Sequence, residues 1–251
     1  MKEFFQIVLY KPLYNLLIVL VSFMPGHDMG LAIVGITILI RLILHPFSIS
    51  AFRGQRAVQR MQPKLRELKA KYKDDQQGFA QASMELYKNN EVNPLASCLP
   101  LLLQLPILIA LYWVLRAGLT SLDASLLYSF TAAHAPSQIS SVGFGFLHLN
   151  QPSWLIAIAA GAAQFVQAKM MQTPPPVVDG EGSKDEAMLA AMNKQMLYVM
   201  PLLTIFIGWK LPAGLTMYWF LATLLTVLQQ WYIFRALDKE EEEKNKKIAN
   251  A

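Results

Sequence analysis

The sequence predicts an all-α membrane protein, a five-span helical bundle with a cytoplasmic helical hairpin and an N-terminal interfacial helix. Three observations carry that prediction. First, 54% of the 251 residues are hydrophobic and only 16% are charged, against roughly 25% charged in an average soluble domain, and the mean hydropathy is +0.33. Second, five stretches are apolar over most or all of the roughly 20 residues that a spanning helix needs. Third, the positive residues cluster beside those stretches instead of covering a surface. The formal charge of +5 therefore reads as a topology signal, not as a nucleic-acid footprint.

Residues 1–29 form the first unit. From Phe4 to Met24 the apolar run is interrupted by Lys11, Pro12 and Asn15, leaving only Leu13 to Met24 unbroken. That favours an interfacial helix over a sixth span. No small-residue cleavage site follows it, so the segment is expected to be retained. The core, residues 30–237, carries spans at about 30–49, 94–114, 154–171, 196–209 and 215–234. The fourth is short: between Lys194 and Lys210 there is room for only about 21 to 24 Å of apolar helix, less than the roughly 30 Å hydrocarbon core. Such a helix thins the bilayer or borders a water-filled recess.

Between the first two spans, residues 48–93 are too polar and too long for a turn. They are good helix formers interrupted by Pro63, Asp74, Asp75 and Gly78, which predicts a helical hairpin. From Arg53 to Lys73 this stretch holds eight basic residues against Glu67, so it is placed in the cytoplasm. Alternation then puts Gly118 to Pro152 outside, where Asp123 is the only charged residue, and 172–193 and the charged tail 238–251 inside. With an interfacial first helix the N-terminus is external, the C-terminus cytoplasmic. The loop Thr173 to Ser183, with three prolines and two glycines, reads as flexible. No internal repeat is visible, which weighs against transporters built from duplicated halves. Cys98, the only cysteine, excludes an intramolecular disulfide.

The residue that stands out is Arg41, near the middle of the first apolar stretch. A guanidinium at that depth costs roughly 2.5 to 3.5 kcal/mol on insertion scales. It could serve as an orientation signal reaching the inner headgroups together with His45. The absence of any Asp or Glu from the five spans favours a functional role instead, because the cation then has to face water or an incoming anion. Thr37, four residues earlier, shares its helix face. Gln104, Gln164 and Gln167 are further polar residues at membrane depth, as are Tyr218, Trp219 and Thr223 in the last span. Singly each is an ordinary helix-to-helix contact; together with an unpaired arginine they suggest a hydrophilic cavity open to the cytoplasm.

Catalysis leaves no trace, and the protein is not expected to be an enzyme. Ser97 beside Cys98 has no base in its run and no G-x-S-x-G elbow occurs. His27, His45, His134 and His148 lack metal-ligand spacing, and only the pair His27 and Asp28 has carboxylate company. No cofactor motif or metal site is read. Proton-coupled transport normally needs an intramembrane acid, and the spans have none.

The runs GLAIVGITILIRLILHPFSISAF, QPKLRELKAKYKDD, ELYKNNEVNPLASCLPLLLQLPILIALYWVL and PAGLTMYWFLATLLTVLQQWYIFR resemble the core of the YidC/Oxa/Alb membrane-protein insertases, over roughly Pro12 to Leu237. The resemblance implies a five-span core of a bacterial plasma (inner) membrane protein. In it Arg41 sits in a groove open to cytoplasm and lipid, Gln167 and Trp219 line that groove, and the last and third spans form an apolar slide for a nascent helix. It also implies nascent membrane proteins and the lipid bilayer as partners, with the ribosome, a targeting receptor and the Sec translocon as further ones, and no direct nucleic-acid recognition. Three departures stand out. The large periplasmic domain of some members has no counterpart here. No lipobox cysteine precedes the core, so lipoprotein processing is not expected. The tail from Asp238 to Lys247 mixes five acids with four lysines, unlike the strongly basic ribosome-binding tail of some relatives. From the residues alone, a small anion-selective channel or transporter using Arg41 and a chaperone that holds helices without inserting them stay open.

Overall fold

The computed structural model describes residues 2–72, 75–93, 99–120, 122–172 and 194–249. The loop expected to be flexible at 173–183, and Ser97 with Cys98, lie outside those residues. The chain opens with α1 (Lys2–Phe5), a π-helical turn (Gln6–Tyr10) and α2 (Lys11–Phe23), continuous in helical backbone. The wide turn precedes Pro12, which has no N–H to donate to the Val8 carbonyl, so the hydrogen-bond ladder slips there. The same arrangement recurs where a π turn at Gln195–Val199 runs into α9 (Met200–Gly208), whose second residue is Pro201.

Helix α3 (Met29–Ile43) starts on Asp28, whose carboxylate accepts the Gly30 and Leu31 N–H groups at 2.6 and 3.1 Å. The apolar stretch 30–49 is not one straight helix. Pro46 cannot donate to the Leu42 carbonyl, α3 ends at Ile43, and α4 (His45–Lys71) departs at an angle of 63°. Pro63, in contrast, lies inside α4 without ending it. Its partner α5 (Gln76–Asn89) is capped by the Asp75 side chain on Gly78 N, which completes the expected hairpin. Then follow α6 (Leu99–Thr120), α7 (Ser129–His134), a small antiparallel hairpin of β1 (Val142–Gly143) and β2 (Leu147–His148), and α8 (Trp154–Met171). After α9, α10 (Ala213–Ala249) runs for 37 residues.

By length and hydropathy, Glu3–Phe23, Trp154–Met171 and Ala213–Glu243 are each sufficient to cross a membrane, and the bent pair α3 and α4 makes a fourth candidate. Gln104–Gly118 and Gln195–Gly208 are shorter apolar helices. The N-terminal helix, expected at the interface, thus also has the length of a span. Its inner face, with Tyr14, Leu17, Ile18 and Val21 fully withdrawn from solvent, packs into the main apolar core beside Met29, Ile33 and Ile36 of α3, Leu111 and Val114 of α6, and Tyr218 of α10. A second packing unit uses small residues instead. Ala157, Ala160, Gly161 and Ala163 let α8 approach α9 and α10 closely; a Cβ on Gly161 would strike the Ile205 side chain and lie 3.0 Å from the Pro201 carbonyl. Close approach of this kind is how helices associate in lipid, where burial itself gives no drive.

Residues 122–152 close one end of this bundle, the loop end. Buried Asn15 donates to the Leu126 carbonyl at 2.9 Å and accepts from Tyr128 N at 2.7 Å. Ser140 N donates to His27 O at 3.1 Å, and the Leu149 and Gln151 carbonyls receive the Gly214 and Ala213 N–H groups at 2.9 and 2.8 Å. The helical hairpin α4–α5 leaves from the opposite end.

Candidate functional site

Because α3 stops at Ile43, Arg41 falls in its last turn, two residues before the bend, and not near the middle of a twenty-residue span. Its side chain is half-buried. Among the described residues it makes no hydrogen bond and no ion pair. It interacts electrostatically with the Tyr218 hydroxyl on α10, and that hydroxyl accepts a hydrogen bond from Gln104 Nε2 on α6 at 3.1 Å. Helices α6 and α10 thus join an amide to a phenol, and the charge of Arg41 on α3 acts on that phenol. Tyr218 is 1% exposed, so the Gln104 amide compensates the burial of its hydroxyl.

The other expected site residues are distributed differently. Thr37 is buried, and its hydroxyl donates to the Ile33 carbonyl of its own helix at 2.6 Å, so it forms wall and offers no free donor. Gln164 and Gln167 are half-buried on α8, which packs chiefly on α9 and α10; Trp219 is half-buried beside Tyr218. Two pockets of about 290 and 710 Å³ lie elsewhere, the first lined by Phe5, Gln6, Tyr10 and Trp113, the second at the end of α5 around Tyr87 and Glu91. Among the described residues no group of three or more His, Cys, Asp or Glu could hold a metal ion.

Sequence reasoning missed a polar cluster on the hairpin side of Arg41. Gln230, with no exposed surface, donates to Gln55 Oε1 at 3.2 Å, while Gln229 Nε2 meets His45 Nδ1 at 3.0 Å. The remaining atoms, Gln55 Nε2, Gln229 Oε1 and Gln230 Oε1, are buried without a partner among the described residues. One turn farther out, Arg56 grips the Asp238 carboxylate through Nε and Nη2 at 3.0 and 2.7 Å, and Arg60 reaches Asp238 and Glu241 at 3.1 and 2.6 Å. Arg56 also lies over the Phe234 ring, and Gln59 donates to the Met170 carbonyl at the end of α8. The paired glutamines in the last span were a visible signal; the Arg56–Asp238 ion pair, 182 residues apart, was not.

A sequence profile for the family described as 60Kd inner membrane protein matches residues 19–241. Among similar curated proteins is the membrane protein insertase YidC of Histophilus somni strain 129Pt, 36% identical over 233 residues, which are 92% of this chain and 37% of that protein. The membrane protein insertase YidC of Mannheimia succiniciproducens is 37% identical over 92% of this chain and 37% of its own length. That of Fusobacterium nucleatum subsp. nucleatum is 33% identical over 229 residues, 89% of this chain and 97% of its own length. The chain thus spans 37% of the first of these relatives and nearly all of the last.

Proposed function

This chain belongs to the family of the 60Kd inner membrane protein, a multi-pass inner-membrane family, and on that premise we propose that it inserts nascent membrane proteins into the bilayer and assists their folding. The observation that carries the mechanism is the half-buried Arg41 on an apolar helix, with no ion pair among the described residues and in electrostatic interaction with the Tyr218 hydroxyl that Gln104 holds. Arg41 is a hydrated attractor in a groove that opens toward the helical hairpin. A polar N-terminal tail loses water, and with it free energy, on entering hydrocarbon. A cation part-way in attracts acidic residues of that tail while the apolar part of the client partitions into lipid along α8 and α10.

Two short helices support a thinned membrane at this point. Helix α3, with 15 residues, and the stretch Gln195–Gly208, with 14, reach only about 22 and 21 Å at 1.5 Å per residue, below the roughly 30 Å core. The chain carries no nucleotide-binding motif, so the driving force is partitioning, translation or the membrane potential, the last about 2.3 kcal/mol per charge per 100 mV. The hairpin is cytoplasmic in this proposal and is the face for ribosome, targeting receptor or Sec translocon. Exposed Arg53 and Lys64 carry that face, because Arg56 and Arg60 are engaged with the tail.

Reconstitution tests the proposal: purified protein in vesicles is expected to insert a single-span client without ion leak. Leak without insertion would turn the reading toward an anion channel. Cysteine labelling is expected to place Gln77 and Ser137 on opposite sides. Labels at Phe4 and Phe23 on one side make the first helix interfacial; labels on opposite sides make it a span.

A further inference from the structure

The β-hairpin at the loop end has a feature that neither packing nor insertion uses. Its three-residue connection, Phe144 to Phe146, begins with a turn closed by Phe146 N on the Gly143 carbonyl at 3.3 Å, and the two central residues of that turn, Phe144 and Gly145, have φ of +55° and +80°. Two left-handed residues suit a hairpin turn, but the first position ordinarily holds Asn, Asp or Gly, since a Cβ is strained there. Here it holds a phenylalanine. Phe146, the last residue of the connection, is 78% exposed, the largest exposure among the bulky hydrophobic side chains of the described residues, and the Phe144 and Phe146 rings lie 6.3 Å apart. From Ala124 to Pro152 the sequence has no Lys, Arg, Asp or Glu. An aromatic tip on an uncharged segment is therefore presented where water alone would be a poor neighbour.

The position of the tip says what covers it. The hairpin is followed directly by the Leu149 and Gln151 carbonyls bonded to the first two residues of α10, and α8 begins at Trp154. Both helices are long and apolar enough to cross the membrane, so the hairpin sits at the level where they leave it. Trp154 and Trp209, 58% and 56% exposed, mark the same level, as aromatic belts do at membrane interfaces.

We propose that the hairpin 142–148 is a lipid anchor whose Phe146 and Phe144 rings enter the headgroup layer of the leaflet at the loop end and so fix the start of the helix that carries Arg41. The link to that helix is one carboxylate. Asp28 accepts Gly30 N and Leu31 N with Oδ1 and, at 2.6 Å, Phe144 N with Oδ2. Gly143 packs so closely on Gly30 that a Cβ there would come within 2.8 Å of the Gly143 Cα. Movement of the tip is movement of the α3 N-terminus. The proposal is independent of the client and of which side faces the cytoplasm.

The test places an environment-sensitive fluorophore at Phe146→Cys, in a Cys98→Ser background, with the full chain in phosphatidylcholine vesicles. Ser137→Cys, on the same segment, is the water-exposed reference. The label at 146 is expected to emit to the blue of the one at 137, to escape quenching by iodide, and to be quenched more by headgroup-level than by deep nitroxide lipids. Emission and iodide quenching equal to those at 137 would overturn the proposal, as would a blue-shifted label that no nitroxide lipid quenches, which means that protein covers the tip. Phe144→Cys gives an independent second reading should the first variant fail to fold.

Discussion

At the loop end, α2, α3 and α10 are joined by main-chain hydrogen bonds and by the Asn15 amide and Asp28 carboxylate, with no ion pair among the described residues there. At the hairpin end, α4 meets α10 through Arg56, Arg60, Asp238 and Glu241, whose side chains stay 29% to 47% exposed. Beside them lie a separate small apolar cluster of Phe52, Ile233 and Phe234 and a buried amide pair with unmatched atoms. Main-chain bonds in a low-dielectric setting are individually strong. Exposed ion pairs contribute roughly 0.2 to 1 kcal/mol each and weaken with salt. On these energetics one end of the molecule is expected to be the firmer and the other the easier to part. Arg41, two residues from the bend between α3 and α4, stands where the two regimes meet.

The sharpest way to break this contrast is to attack the firmer end. Asp28→Ala removes a helix cap and leaves the Phe144 N–H unmatched, so a loss of about 2 to 3 kcal/mol in thermal stability is expected. Gly30→Ala forces backbone against backbone and is expected to cost about 1 to 3 kcal/mol. Melting in detergent checks both. Little change in either would mean that the loop end is not the rigid one.

At the junction, Arg41→Ala is expected to lose an attraction worth about 1.4 kcal/mol or more, hence on the order of tenfold in insertion of clients with acidic tails. Arg41→Lys keeps the charge without the planar fork and is expected to retain much of the activity. Neutralising the client's acids is expected to restore part of what Ala loses. The measurement is insertion by the three variants with acidic and neutralised clients, normalised to folded protein. Uniform loss that follows folded protein would make Arg41 a brace and not an attractor.

How far these parts were legible in the sequence follows from what each rests on. Apolar runs and charge clusters located the helices and the helical hairpin, because hydropathy is additive along the chain. Arg41 was legible because a lone charge in an apolar run stands out. The end of α3 was missed: a hydropathy reading counts side chains, whereas Pro46 acts by withholding a backbone donor. The charged tail 238–251 was read as a segment apart from the last span. Its Glu- and Lys-rich sequence is in fact a good helix former with opposite charges three and four residues apart, so α10 continues to Ala249. Tyr218 and the Arg56–Asp238 pair acquire their roles only through partners more than a hundred residues away.

The end that is easier to part gives a smaller effect of a different kind. Asp238→Ala leaves Arg56 and Arg60 partly exposed and free to rehydrate, so less than about 1 kcal/mol of stability is expected to be lost, and the difference should fade in high salt. A loss as large as that of Asp28→Ala, and insensitive to salt, would erase the distinction between the two ends.

The smallest net effect, and the most informative about opening, is expected at Gln55 and Gln230. Each amide uses one atom for the other and leaves one unmatched, so the pair does little for the closed state. Gln230→Met alone leaves the whole Gln55 amide buried and unpaired, a loss of about 1 to 3 kcal/mol. Gln55→Met together with Gln230→Met removes both orphans, and stability should return to within about 0.5 kcal/mol of the parent or exceed it. A double-mutant cycle in melting temperature gives the coupling between the two positions. If the amides lower the cost of parting α4 from α10, the double variant should insert clients more slowly than the parent while melting no earlier. Insertion as fast as in the parent, at equal stability, would leave the amide pair with no part in opening the hairpin end.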